Sequence, residues 1–135
     1  MDIKRMETFD FEALKSLYRI NRWDAYLKDM TLFRRMFEQS TAVFGAYEAD
    51  ELIGLVRVLS DDAHILYIQD IMGHPDHLRK GIGKALMDHL LNHFEHVRQK
   101  VLLTDGDAHS AHAFYRRFGF KEVSEKGLTS FVRFD

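Results

Sequence analysis

Leu78-Arg79-Lys80-Gly81-Ile82-Gly83-Lys84-Ala85 follows an apolar run, Ile65 to Met72, and opens directly into a segment of helical spacing. It reads as a loop feeding a helix N-terminus. Two glycines one residue apart let the backbone turn tightly and leave several N–H groups aimed at one point. The helix dipole adds partial positive charge there, and Arg79 and Lys80 add whole charges, so the point suits a phosphate or pyrophosphate. A lone G-x-G is equally what a helix beginning after a glycine turn shows, so the flanking chain has to decide between the two.

Downstream of the loop, Ile82, Leu86, Leu90, Phe94 and Val97 recur every three or four residues, which predicts a helix of about four turns. Val101-Leu102-Leu103 is a short buried strand. Ala111, Phe114, Tyr115 and Phe118 return to helical spacing, with Gly119 placed to end it. Phe120 to Ser124 and Thr129 to Phe134 read as a closing pair of strands. Upstream, Ala63 to Met72 is the longest strand, its alternation placing Ile65, Tyr67, Gln69 and Ile71 on one face and Leu66, Ile68, Asp70 and Met72 on the other. Pro75, the single proline, takes the chain out of the sheet after Gly73. Thr41 to Tyr47 and Leu52 to Leu59 form a hairpin around Glu48-Ala49-Asp50-Glu51, with Gly45 and Gly54 weakening both strands slightly. Ile3 to Met6 is a short first strand. Two helices follow it, one from Phe9 to Tyr18 with Asp10 placed to cap, and one through Leu32 to Phe37 ending near Gln39. The order β-α-α-β-β-β-α-β-α-β-β defines a mixed α/β (α+β) chain with a mostly antiparallel sheet flanked by helices.

The 135 residues make one domain, 1–135, burying about two-thirds of the unfolded surface. A net charge of −2, with no basic block, argues against nucleic acid or an anionic membrane as partner. Without cysteine there is no disulfide, thiolate metal site or cysteine nucleophile, which suits a cytoplasmic chain. No apolar run approaches a membrane span, and Met1 to Arg5 lacks a signal region.

Over essentially its whole length the chain resembles the GNAT acyl-CoA N-acyltransferases, in the pattern of the small bacterial members. Their loop after the fourth strand reads Gln or Arg, two residues, Gly, one residue, Gly or Ala, and Leu78 to Gly83 departs from it only at the first slot. Ala111-His112-Ala113-Phe114-Tyr115-Arg116-Arg117-Phe118-Gly119-Phe120 matches the family's A-x-x-F-Y-x-x-x-G-F motif, also in its expected place. The resemblance implies acetyl-CoA, or another acyl-CoA, as co-substrate. Its pyrophosphate is expected on the backbone N–H groups of Leu78, Arg79, Lys80, Gly81, Ile82, Gly83 and Lys84, with Phe114 among the cofactor contacts. The fourth and fifth strands of the family splay apart, which assigns the pantetheine arm to the free backbone of Ile71, Met72 and Gly73. Leu78 and Ala108 forfeit side-chain contacts that other members carry as Gln or Arg and as Asn. Gly73 stands where Val is usual, which loosens that edge.

Attack of an amine on a thioester needs a neutral nucleophile, a donor for the developing oxyanion and an acid for the departing thiolate. A tyrosine, with an ordinary pKa of about 10, can protonate a thiolate whose conjugate acid lies at about 8.5 to 9. The resemblance gives that role to Tyr115, which spacing alone would make a core aromatic, and the oxyanion to the Met72 N–H. Gln69 stands where many members carry a catalytic carboxylate or histidine, with Tyr67 on the same face. Glutamine cannot take up a proton, so Gln69 is expected to orient a water or the amine, leaving deprotonation to solvent or to Asp70, Asp105, Asp107 or His109. Trp23 and Tyr26, with Asp24 and Asp29, lie in the connector that lines the family's acceptor pocket, where carboxylates hold an ammonium and aromatics stack on it; Trp23 serves as well as a core plug. His89, His93 and His96 have a spacing that could gather a metal but border an apolar stripe, so surface histidines and no metal are expected. Arg116 and Arg117 are within reach of a CoA 3′-phosphate or are merely exposed helix charges.

The expected activity is transfer of an acetyl group to a primary amine of a small molecule in a ternary complex. Acetylation of a protein amine and a CoA-binding regulatory module with little activity are the alternatives. The family commonly forms homodimers, and nothing in the sequence fixes that state.

Overall fold

The computed structural model describes residues 1–78 and 80–135; Arg79, named above in the phosphate cradle, lies outside them. The chain divides into two compact units, Met1–Leu103 and Thr104–Asp135.

The first unit is built on a five-stranded sheet in the order β1 (Asp2–Arg5), β2 (Ala42–Glu48), β3 (Glu51–Ser60), β4 (Ile65–Gly73) and β5 (Gln99–Leu102). Every neighbouring pair is antiparallel except β4 with β5. The β2–β3 hairpin closes at Glu48 opposite Glu51, with Ala49 and Asp50 at φ of 49° and 68°. Positive φ at both central residues gives a turn the hand that matches strand twist, and Asp tolerates it. Asp61 forms the next turn by accepting the N–H groups of Ala63, His64 and Ile65 at 2.9–3.0 Å.

Helix α1 (Phe11–Ile20) begins where the Asp10 carboxylate accepts the Ala13 N–H at 3.2 Å, and α2 (Met30–Glu38) where Asp29 accepts those of Thr31 and Leu32. Both bury one stripe, Leu14, Leu17 and Tyr18 from α1 with Phe33 and Phe37 from α2, against Val43, Leu55 and Met72 of the sheet. The neighbouring strand residues face the other way. Phe44 meets His89, and Gly54 and Gly73 meet Ile82, all on α3 (Ile82–His93). The sheet is thus covered by α1 and α2 on one face and α3 on the other. Gly54 does not merely weaken its strand. A Cβ there would lie 2.4 Å from Ile82 Cγ2 and 2.9 Å from the Met72 carbonyl oxygen, so its absence lets α3 sit down on the sheet. Gly73 leaves less slack than expected, because an added Cβ would find Ile82 at 3.4 Å.

Helix α3 is shorter than its apolar periodicity suggests. Phe94 caps it and Val97 is buried in the turn that follows, where its N–H bonds to Phe94 O. In the second unit α4 (His109–Arg117) ends at Gly119, whose φ of 88° lets the N–H groups of Gly119 and Phe120 return to Arg116 O and Tyr115 O. The closing strands expected over Phe120 to Ser124 and Thr129 to Phe134 are not formed. Val123–Lys126 is instead a 3-10 turn held by reciprocal capping between Glu122 and Glu125 and closed by Gly127 at φ 73°. Phe131, Val132 and Phe134 are exposed. Alternation gives a segment the pattern of a strand, but a strand exists only with a partner ladder, and here Val123–Lys126 is closed by local caps instead. The mixed α/β class and mostly antiparallel sheet hold without that pair. No helix among the described residues is long and apolar enough to cross a membrane.

Candidate functional site

Strand β4 organises the site. Its pairing with β5 runs only from Ile65 opposite Gln99 to Ile68 opposite Leu102, whereas its pairing with β3 continues to Gly73. From Gln69 to Gly73 one edge of β4 has no strand beside it among the described residues. The His74 N–H donates to Ile53 O at 2.7 Å across the β3 ladder. Bonded and non-bonded pairs alternate along an antiparallel ladder, so Leu55 and Met72 form a bonded pair, and the N–H and C=O of Ile71 and Gly73 point away from β3. The backbone of Ile71 and Gly73, not of Met72, is therefore offered on the open edge; Met72 buries its side chain against α1 and α2.

Beyond Gly73 the chain makes a 3-10 turn, Pro75–His77, and reaches Gly81, in the left-handed conformation at φ 72°, as the N-cap of α3. The first intrahelical bond is Ala85 N–H to Gly81 O at 2.9 Å. Amides of the first helical turn have no carbonyl below them, which leaves those of Ile82, Gly83 and Lys84 available at the positive end of the dipole. Two basic side chains here are otherwise engaged: Lys80 pairs with Glu48 at 2.9 Å and Lys84 with Asp88 at 2.6 Å. Leu78 is exposed, and Ile82 spends its side chain on the sheet.

A second feature sits at the start of the open stretch. Arg57 pairs with Asp70 but Val58 pairs with Ile68, so Gln69 is an extra residue in β4, a bulge. Regular alternation would send Gln69 and Asp70 to opposite faces. The bulge brings both to the α1–α2 side, where they meet one hydroxyl: Tyr26 donates to Asp70 Oδ1 at 2.8 Å and accepts from Gln69 Nε2 at 3.0 Å. The expectation that Gln69 faces away from Asp70 is corrected for this reason. Asp70 also accepts Tyr18 Oη at 2.7 Å and Arg57 Nε at 2.8 Å, both on Oδ2, and is 1% exposed. Three donors, one of them the buried Arg57 guanidinium, leave it a scaffold, not a free base.

Burial pushes the Tyr18 hydroxyl pKa well above its ordinary value, reinforced by the Asp70 charge. Burial likewise raises that of Tyr26, the Gln69 hydrogen bond opposing and Asp70 assisting. Burial alone would lower the Arg57 pKa, but the attraction and hydrogen bond of Asp70 reverse that and leave it raised. Both tyrosines thus stay neutral donors at physiological pH. With Nε2 committed to Tyr26, Gln69 keeps its carbonyl oxygen for another partner.

Tyr26 also lines a cavity of about 590 Å³ between the connector, α2 and β3, together with Ala25, Lys28, Asp29, Leu32, Phe33, Arg35, Met36, Gln39, Arg57 and Leu59. Of the connector residues expected there, Tyr26 and Asp29 line it. Trp23 does not; half-buried, its ring packs edgewise on Tyr18 at 5.9 Å, against the core. Asp29 spends a carboxylate oxygen capping α2. Tyr67 is outside the lining, its pKa raised by burial and then by Asp70.

In the second unit Tyr115 and Phe114 lie on α4 with ring centroids 5.4 Å apart, and Phe114 also packs on Phe118 at 5.0 Å. Burial raises the Tyr115 pKa, so its hydroxyl keeps its proton at neutral pH. Arg116 is tied to Glu125 at 2.6 Å. In the first unit, His89 and His93 lie edgewise on Phe44 and His96 pairs with Asp62.

The Arg57–Asp70 pair escaped the sequence reading as a functional element. Its signal was present: one charge of each sign, each inside a mainly apolar strand, Leu55-Val56-Arg57-Val58 and Ile68-Gln69-Asp70-Ile71-Met72. Buried charges occur in pairs.

A strand that parts from its parallel neighbour and runs into a helix N-terminus with free amides is the framework on which acyl-CoA N-acyltransferases are built. Consistently, the family described as "Acetyltransferase (GNAT) family" matches residues 4–120, and the chain belongs to that family. A Bacillus subtilis (strain 168) protein, UPF0157 protein YqkA, is 31% identical over 121 residues, which cover 90% of this chain. The match spans only about a third of that relative's length, 32%. A GNAT-family acetyltransferase of Streptococcus pneumoniae TIGR4 superposes with a TM-score of 0.82 at 26% identity, covering 99% of this chain and 97% of that one. The aminoglycoside N-acetyltransferase AAC(6′)-Iy, solved in complex with CoA, shares the fold at a TM-score of 0.71 and 17% identity, with 99% of both chains covered.

Proposed function

We propose that the chain transfers an acetyl group from acetyl-CoA to the primary amine of a small molecule, by direct attack in a ternary complex. The observation that carries this reading is the open edge of β4 from Gln69 to Gly73, continuous with the free amides of α3. When bound, acetyl-CoA supplies the thioester carbonyl that the amine attacks.

Ile71 and Gly73 would pair through their backbone with the amide-bearing arm of the cofactor, as an added strand pairs with a sheet edge. The amides of Ile82, Gly83 and Lys84 would take the pyrophosphate. This suits a loop that starts with Leu78, since backbone donors do the binding and the lost side chain contributes only affinity. The Ile71 N–H replaces that of Met72 as the donor for the oxyanion, because it alone of the two faces the open edge. Gln69, its amide pinned by Tyr26, turns its carbonyl oxygen to the amine, and solvent takes the amine proton, Asp70 being saturated. Tyr115 protonates the departing thiolate, a role assigned by its motif.

The test is CoA release, followed with a thiol reagent against a panel of primary amines, for the wild type and Tyr115→Phe. Release should require the amine, and kcat should fall about 10²-fold or more in the variant. An unchanged rate removes Tyr115 from the reaction. CoA binding with no turnover on any amine points to a regulatory CoA-binding module, and turnover confined to peptide amines points to a protein acetyltransferase.

A further inference from the structure

We propose that the cavity beside Tyr26 takes an amine whose apolar body carries an anionic group, and discriminates against polycations; this rests on the acetyltransferase reading above. Its volume of about 590 Å³ suits a small organic molecule. Its walls are largely apolar, supplied by Leu32, Phe33, Met36 and Leu59. Two of these large side chains are themselves open to solvent, Leu32 at 54% and Leu59 at 44%, so the lining holds apolar surface that a ligand could cover.

The charges decide which ligand. Lys28, Arg35 and Arg57 line the cavity against one carboxylate, Asp29. Arg57 is neutralised by Asp70 at 2.8 Å, and Asp29 has one oxygen committed to the first turn of α2. Lys28 and Arg35 form no ion pair among the described residues. The site therefore sets two cations without an ion-pair partner, Lys28 and Arg35, against the single Asp29 carboxylate. An acceptor with several ammonium groups would meet like charge, whereas one with a carboxylate or phosphate at the end remote from its amine would be complemented. Tyr26, which lines the cavity, also accepts the Gln69 Nε2 amide, and the Gln69 carbonyl oxygen is left for the amine end of such a ligand. Although aminoglycoside acetyltransferases share the fold, this cavity lacks the acidic lining a polycation requires.

Three probes separate the readings: 4-(aminomethyl)benzoate, benzylamine and kanamycin, each titrated calorimetrically into the whole chain with CoA present and each assayed for CoA release. The benzoate should bind about fivefold more tightly than benzylamine at low salt, and kanamycin more weakly than either. Replacing Lys28→Gln and Arg35→Gln together should bring the first two within about twofold of each other. Arg35→Glu should shift preference toward kanamycin. Kanamycin binding as tightly as the benzoate, or a benzoate preference that survives the double substitution, overturns the proposal. Because binding is read apart from turnover, absence of CoA release with all three probes would count against the acetyltransferase reading while the titrations still decide the cavity.

Discussion

The two halves of β4 look alike in sequence and are put to different use. Ile65–Ile68 has a strand on each side and buries Leu66 and Ile68 almost completely. Gln69–Gly73 has a strand on one side only, begins with a bulge, and carries a buried carboxylate and an amide tied to a tyrosine hydroxyl. A single apolar alternation covers both. The difference arises from the neighbours: where β5 is present the residues pack, and where it ends the outward backbone groups of Ile71 and Gly73 have no strand partner among the described residues.

The largest effect that separates the halves is expected at Asp70. Asp70→Ala leaves the Arg57 guanidinium buried and unpaired, which should cost about 3–5 kcal/mol in urea unfolding. Ile68→Val, two residues away in the packed half, should cost only about 1 kcal/mol. Equal costs would mean that the second half is held by ordinary packing. A smaller effect is expected at Gly54, opposite Gly73 in the ladder. Gly54→Ala must push Ile82 and the start of α3 off the sheet, costing about 1–3 kcal/mol and weakening CoA binding with it.

The smallest effect lies at the turn before the packed half. The three N–H groups of Ile65, Ala63 and His64 hold the Asp61 carboxyl at about 2, below its ordinary 3.8. A carboxylate favoured in the folded state stabilises above its unfolded pKa and loses that stabilisation as pH falls through the folded one. Asp61 should therefore support the turn at neutral pH and cease to do so between about pH 4 and 2. An NMR titration of Asp61 should show a midpoint near 2; a midpoint at the ordinary carboxylate value would remove the three bonds.

What was legible in the sequence is what local chemistry decides. Asp10 and Gly119 mark helix ends because their caps are made within a few residues, and Ala49-Asp50 marks the hairpin for the same reason. The loop at Gly81 was legible because the positive φ before the helix favours glycine. What was not legible depends on distant partners. The face of Gln69 is set by a register shift against β3, and the reason for Gly54 is an isoleucine 28 positions further on, Ile82. The role of Trp23 is decided by Tyr18, and Thr129 to Phe134 alternates without forming a strand because alternation does not supply a partner. Asp29 could have been read correctly, since an aspartate three residues before an apolar helical stripe is a capping signal before it is an ammonium ligand.

The central claim is that the second half of β4 and the first turn of α3 form one binding edge while the first half of β4 is structural. Addition of CoA to isotopically labelled chain tests it directly through the backbone amide resonances. The amides of Ile71, Gly73, Ile82, Gly83 and Lys84 should shift and those of Leu66, Tyr67 and Ile68 should not. CoA binding that leaves Ile71 and Gly73 unmoved, or that shifts both halves of the strand alike, would contradict it.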